Sequence, residues 1–330
     1  MAKNNNRKVG IIGMGHVGSH AMNAVANLGI ANELVLYDID EAKATSECWD
    51  IFDTMSMLPH DLYVHTSDIE GLSDCDVIIH AAGKISLLYG STDRSLELKY
   101  TVPAVHTWAE PLKKTGFDGC VINISNPCDV VTREIAMILD LPEGRVFGTG
   151  TGLDTARLLA RLRDRTGVDS HSIVAYMMGE HGNAQFAPWS IVNFRGMPLD
   201  EMAKQNDAFA FDRDKMEHSA RMGGWDVFSG KKCTEYAIGL IAARMAGFVL
   251  NDEKAVQTAS CHLTGQYGQE DIYVGAPAII GAGGVEHIME LPLTSTELQR
   301  FDECCKSIRE NMALADEFMR GEGAAETKGE

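Results

Sequence analysis

The chain has 330 residues, 45% of them hydrophobic and 23% charged, values of a globular protein with room for two domains. A formal net charge of -18 argues against nucleic acid as a partner, because phosphate binding needs a basic face, so an anionic ligand must be held by a local cluster of arginines. Nothing approaches the ~20 apolar residues of a membrane span or the apolar run of a secretory signal, and eight scattered cysteines without a Cys-x-x-Cys fit a reduced, cytoplasmic protein.

Residues 8–12 read as a short buried strand. Gly13-Met-Gly15-His-Val-Gly18 follows, and then a helical pattern at Val17, Ala21, Val25 and Leu28 that stops at Gly29. Strand, glycine turn and helix are the context in which Gly-x-Gly-x-x-Gly binds a dinucleotide. Gly13 permits the tight turn, Gly15 lets backbone approach the pyrophosphate, and Gly18 lets helix pack on strand. A second strand, Leu34–Tyr37, ends in Asp38, an acid placed for the ribose hydroxyls. With Asp40 and Glu41 behind it, Asp38 would repel a 2′-phosphate, so NAD is expected over NADP. His16 and His20 stand four apart, the spacing of a metal pair. The sequence organises no carboxylate or cysteine beside them, so no metal is expected.

The alternation continues with a helix over 41–57, strands over 62–65 and 76–81, and a helix over 94–114 bent at Pro103. A strand over 120–125, a helix over 130–139 and a strand over 145–147 complete the first half. Strands alternating with helices imply a doubly wound parallel sheet, here a Rossmann domain over 1–148. Between the halves, Gly148-Thr-Gly-Thr-Gly opens a helix carrying Asp154 and Arg157, three apart and so on one face. A strand over 172–178 then delivers His181 between Gly179-Glu and Gly182. Carboxylate, guanidinium and imidazole are what reduction of a 2-oxo acid requires. The imidazole exchanges a proton with the substrate oxygen, the carboxylate fixes its tautomer, and the arginine grips a carboxylate in two places. Beyond come Trp189–Phe194, helices over 212–222 and 233–250, and antiparallel strands over 256–267 and 271–280. A segment over 284–289 and a helix over 296–319 close a mixed α+β substrate domain, 149–330, whose tail 321–330 reads as disordered.

Asp154-Thr-Ala-Arg157 and Gly179-Glu-His181-Gly resemble the substrate-arginine and proton-relay motifs of the L-lactate/malate dehydrogenase superfamily, and the likeness runs from about Lys8 to Met319. Within the superfamily the chain looks most like the L-2-hydroxyisocaproate dehydrogenase branch, then lactate dehydrogenase. The resemblance implies an NAD-dependent L-2-hydroxy acid dehydrogenase with His181, Asp154 and Arg94 as catalytic residues. It implies Arg157, Asn126, Thr234 and Ile85 for the substrate. For the dinucleotide it implies Gly13, Gly15, His16, Val17, Gly18, Asp38, Lys43, Ala82, Gly83, Ile124 and Asn126, with a cis Asn126–Pro127 bond. The segment 84–93 is expected to be a lid, its apolar Ile85, Leu87 and Leu88 suited to an aliphatic side chain such as that of 2-oxoisocaproate. Lys84 is its one cation, of undetermined direction. The family habit is a homodimer or homotetramer. A metal- and NAD-dependent glycosidase and a non-catalytic NADH-binding protein stay open as other classes. The first would need a cysteine/histidine metal site, and the second would show no turnover.

Overall fold

The computed structural model describes residues 7–89, 95–182 and 184–321. Its first half runs β1 (Lys8–Ile12), α1 (His16–Leu28), β2 (Glu33–Tyr37), α2 (Glu41–Phe52), β3 (Tyr63–Thr66), β4 (Val77–His80), α3 (Ser95–Lys114), β5 (Cys120–Asn123), α4 (Cys128–Leu139) and β6 (Val146–Gly148). The six strands pair in parallel in the order β3-β2-β1-β4-β5-β6. That order reverses between β1 and β4, which opens a crevice at their carboxyl ends where doubly wound folds bind ligands. Helices cover both faces, so the central strands carry no polar alternation: Val77, Ile78 and Ile79 are all fully buried.

The second half runs α5 (Gly152–Thr166), β7 (Ile173–Val174), β8 (Asn193–Phe194), β9 (Met197–Pro198), α6 (Leu199–Ala203), α7 (Arg213–Lys231), α8 (Tyr236–Leu250), β10 (Ala255–Thr264), β11 (Glu270–Gly281), β12 (Gly284–Ile288) and α9 (Ser295–Met319). Strands β10 and β11 form the expected antiparallel pair, and the segment after them adds β12 to make a meander. They do not form a separate sheet. Ser260 of β10 pairs antiparallel with Gly148 of β6, and a nine-stranded sheet runs across the expected division near Gly148. Glycine permits the junction: a Cβ on Gly150 would stand 2.5 Å from the Ser260 backbone nitrogen. Helix α9 begins at a capping box, with the Thr294 side chain accepting from the Glu297 amide and Glu297 returning to the Thr294 amide.

Several expected elements differ. The segment 172–178 is a strand only at Ile173–Val174. Further on, the Met177 amide donates to Thr155 Oγ1 at 2.9 Å and its carbonyl accepts from Thr151 Oγ1 at 2.6 Å. Side chains of Thr155 in α5 and of Thr151 at its N-cap take the bonds a neighbouring strand would have supplied. Helix α7 does not end at Met222 but runs on through Gly223 and Gly224 to Lys231. A Cβ on Gly223 would lie 2.8 Å from the Arg161 guanidinium, and one on Gly224 would lie 3.2 Å from that of Arg157. Close packing on α5 outweighs the poor helix propensity of glycine. Helix α8 begins at Tyr236 rather than Cys233. Arg94, most of the lid's far half (90–93) and nearly all of the tail lie outside the described residues.

Candidate active site

Each working side chain is positioned by several elements at once. Asp154 sits in the first turn of α5 and is 1% exposed. It accepts from Arg157 Nη1 at 2.8 Å through one oxygen and meets His181 Nδ1 at 2.7 Å through the other. Burial alone would raise the Asp154 carboxyl, but the adjoining His181 and Arg157 hold it below the ordinary range. The loop bearing His181 is tied down at three places. Gly179 pairs with Gly275 of β11. Glu180 accepts from Ser307 Oγ at 3.2 Å and Asn311 Nδ2 at 3.0 Å on α9. The His181 amide donates to Asp129 of α4 at 3.1 Å. Asp129, which also accepts from Ser260 Oγ at 2.5 Å, is pushed up to about 6 by its burial.

His181, Asp154 and Arg157 open into a cavity of about 380 Å³. Asn126 and Thr234 line it too, and the Asn126–Pro127 bond is cis. Lys84 also lines the cavity, with its Nζ 5.6 Å from the centre of the Tyr100 ring, which is not itself part of the lining. The segment expected to be a lid begins as a single 3-10 turn over Ile85–Leu88; the Ile85 side chain lies outside the described residues. Of the residues expected to hold the dinucleotide, Gly15, His16, Val17, Gly83 and Ile124 line the same cavity.

The glycine turn suits a pyrophosphate. Gly13 has φ +91°, and a Cβ there would be 2.6 Å from the Ala82 backbone, so Ala82 supports the turn while its neighbours Ala81 and Gly83 face the cavity. Gly15 has open space where a side chain would stand, and α1 starts with no side-chain cap and no acidic residue in its first turn. Its first amides and dipole are left for an anion. Asp38 accepts from the Met14 amide at 2.6 Å and the Asp40 amide at 2.9 Å. It braces the glycine loop, and each carboxylate oxygen keeps a lone pair for a ribose hydroxyl. Lys43 does not reach the cavity. It is exposed and ion-paired to Glu47 along α2.

The pattern of a lactate/malate dehydrogenase NAD binding domain matches residues 7–148, and that of the alpha/beta C-terminal domain matches 151–319. The chain belongs to the lactate/malate dehydrogenase family. It is 38% identical over 314 residues to an L-lactate dehydrogenase of Fusobacterium nucleatum, covering 94% of this chain and 98% of the relative. A minor L-lactate dehydrogenase of Enterococcus mundtii, solved with ligands bound, superposes with a TM-score of 0.88 at 33% identity, over 95% of this chain and 98% of that one. A lactate dehydrogenase of Cryptosporidium parvum, solved with lactic acid and nicotinamide adenine dinucleotide, gives 0.88 at 29% identity, over 94% and 98%. As a member of this family the protein is an NAD-dependent oxidoreductase.

Family motifs did not reveal every wall of the cavity. Arg221, Trp225 and Phe228 of α7 and Gln185 line it as well. Their spacing of three and four along α7 is the one signal that could have grouped them. The premise for expecting no metal also fails: Cys233 and Glu235, just before α8, stand against His16. None of the helices among the described residues is long and apolar enough to cross a membrane.

Proposed function

We propose that the protein reversibly reduces 2-oxo monocarboxylic acids to L-2-hydroxy acids, pyruvate and its longer branched homologues such as 2-oxoisocaproate being the substrate class. The observation that carries this reading is the buried Asp154 joined at once to His181 and Arg157 on the cavity wall. Asp154 engages Nδ1 of the imidazole, leaving Nε2 to give a proton to the substrate oxygen and to take it back in the reverse direction. The part of the Arg157 guanidinium not held by Asp154 binds the substrate carboxylate, and Asn126 donates to the carbonyl oxygen. Bound NADH supplies the hydride to the carbonyl carbon, so that NADH, a proton and the 2-oxo acid become NAD and the L-2-hydroxy acid. Arg94 is assigned to charge on the same oxygen by its motif alone, and Ile85 and Thr234 to the substrate side chain.

Trp225, Phe228 and Ile238 give the cavity an apolar side, which favours aliphatic side chains. A second reading draws on Lys84 and Arg221, two cationic residues that line the same cavity and suit the distal carboxylate of oxaloacetate. Steady-state NADH oxidation with pyruvate, 2-oxoisocaproate and oxaloacetate separates them. The first reading requires kcat/KM for one of the monocarboxylates to exceed that for oxaloacetate, and the reverse order overturns it.

The division at Gly148 into cofactor and substrate domains belongs to the same proposal, as does a homodimer or homotetramer. Trp49 and Phe52, three apart on α2 and 67% and 58% exposed, support the oligomer as an apolar face of the kind that subunits cover. Light scattering on the eluting protein tests it. All eight cysteines are unpaired thiols, which supports work in the cytoplasm.

A further inference from the structure

Helix α8 crosses α1 so closely that a Cβ on Gly239 would stand 2.8 Å from the Ala21 amide nitrogen. That crossing brings the segment before α8 against the first turn of α1, at the mouth of the cavity. Glu235 Oε2 accepts from Cys233 Sγ at 3.0 Å and lies 3.3 Å from His16 Nδ1. The three potential ligand atoms all fall within 4.8 Å of one another. Zinc–sulfur, zinc–nitrogen and zinc–oxygen bonds at tetrahedral angles put ligand atoms about 3.3–3.6 Å apart. The cluster therefore already has nearly the dimensions of a zinc site.

The geometry points to a zinc-binding site formed by His16, Cys233 and Glu235, with its fourth position open to the cavity, which clamps the dinucleotide-binding turn to the segment carrying Thr234. The donor set selects the metal: thiolate and imidazole favour zinc over the magnesium or calcium that carboxylates alone would take. Lys231 does not compete for the site, since its ammonium stands 2.5 Å from the other Glu235 oxygen, Oε1, and so orients the carboxylate from outside. His20 is not a ligand, because its Nδ1 donates to the His16 carbonyl at 2.7 Å. Glu235 and Cys233 are buried, whereas the His16 side chain is 68% exposed, which gives the metal a way in. Binding releases the thiol proton that Cys233 now shares with Glu235. The site does not depend on the proposed reaction.

The test is a zinc titration of the metal-stripped full chain against a chromophoric chelator, with magnesium as control. One zinc per chain is expected, with affinity falling ~100-fold or more in Cys233→Ser and in Glu235→Gln, beyond the ~10–100-fold that outer partners contribute. Cys48→Ser, away from the cluster, should bind as wild type does. Cobalt in place of zinc should give a thiolate-to-metal charge-transfer band in wild type that is missing in Cys233→Ser. Hydrogen exchange should slow together in the first turn of α1 and in residues 232–235 when zinc is added. Failure to draw zinc from the chelator, or zinc held equally by the Cys233 variant, overturns the site. Should that variant not fold, the wild-type cobalt spectrum decides, and absence of the band overturns it. Exchange unchanged by zinc overturns the clamp.

Discussion

Replacing Asp154 by asparagine should cripple reduction while leaving NADH binding intact. The carboxylate is 1% exposed and lies 2.7 Å from His181 Nδ1, so its charge acts on the imidazolium with little screening. With charge centres ~4 Å apart and an effective permittivity of ~20, the attraction is about 4 kcal/mol. Arg157 shares the carboxylate at 2.8 Å, which leaves about 2–4 kcal/mol for the imidazolium, or ~30- to 1000-fold in kcat. The asparagine amide can also face Nδ1 as a donor and impose the wrong tautomer. Steady-state NADH oxidation measures kcat, and NADH fluorescence measures binding. An unchanged kcat would refute the relay.

Asp38 should favour NADH over NADPH by ~10-fold or more in kcat/KM, a difference of about 1.4 kcal/mol, and Asp38→Ser should narrow that ratio. Because Asp38 also holds the Met14 amide, the NADH KM should rise in the same variant; equal use of the two cofactors by wild type would contradict the assignment. Asp129 should make stability depend on pH. Its folded value of about 6 lies above the ordinary 3.8, so between those values the folded protein binds a proton that the unfolded chain does not. Stability should therefore rise as pH falls through 6 toward 4, by up to about 3 kcal/mol. Asp154, held low, opposes this only at more acid pH. Denaturant unfolding of wild type and Asp129→Asn at pH values between 7 and 5 isolates the effect, and parallel slopes would exclude it.

The sequence disclosed whatever is local or carried by a motif. The glycine turn announced β1, α1 and the pyrophosphate site because turn geometry restricts residue choice there. Asp154, Arg157 and His181 were legible through spacing and family likeness, and the structure brings them together. Long-range pairing was hidden. Nothing local says that Ser260 will lie opposite Gly148 and extend the sheet, or that Thr151 and Thr155 at the start of α5 will take the backbone bonds of Met177. The glycines of α7 read as a weak point because their reason, the arginines of α5, lies on another helix. Cys233 and Glu235 read as ordinary residues before a helix, since only the close crossing at Gly239 brings them to His16.

The central claim is that His181 passes the proton while NADH reduces a 2-oxo acid. The direct measurement is turnover by His181→Ala beside wild type, with the 2-oxo acid that wild type uses best, together with the NADH dissociation constant of each protein. The account requires kcat to fall by ~10²–10⁴, the worth of a positioned acid–base group, with NADH affinity unchanged. Turnover preserved in the alanine variant would contradict it.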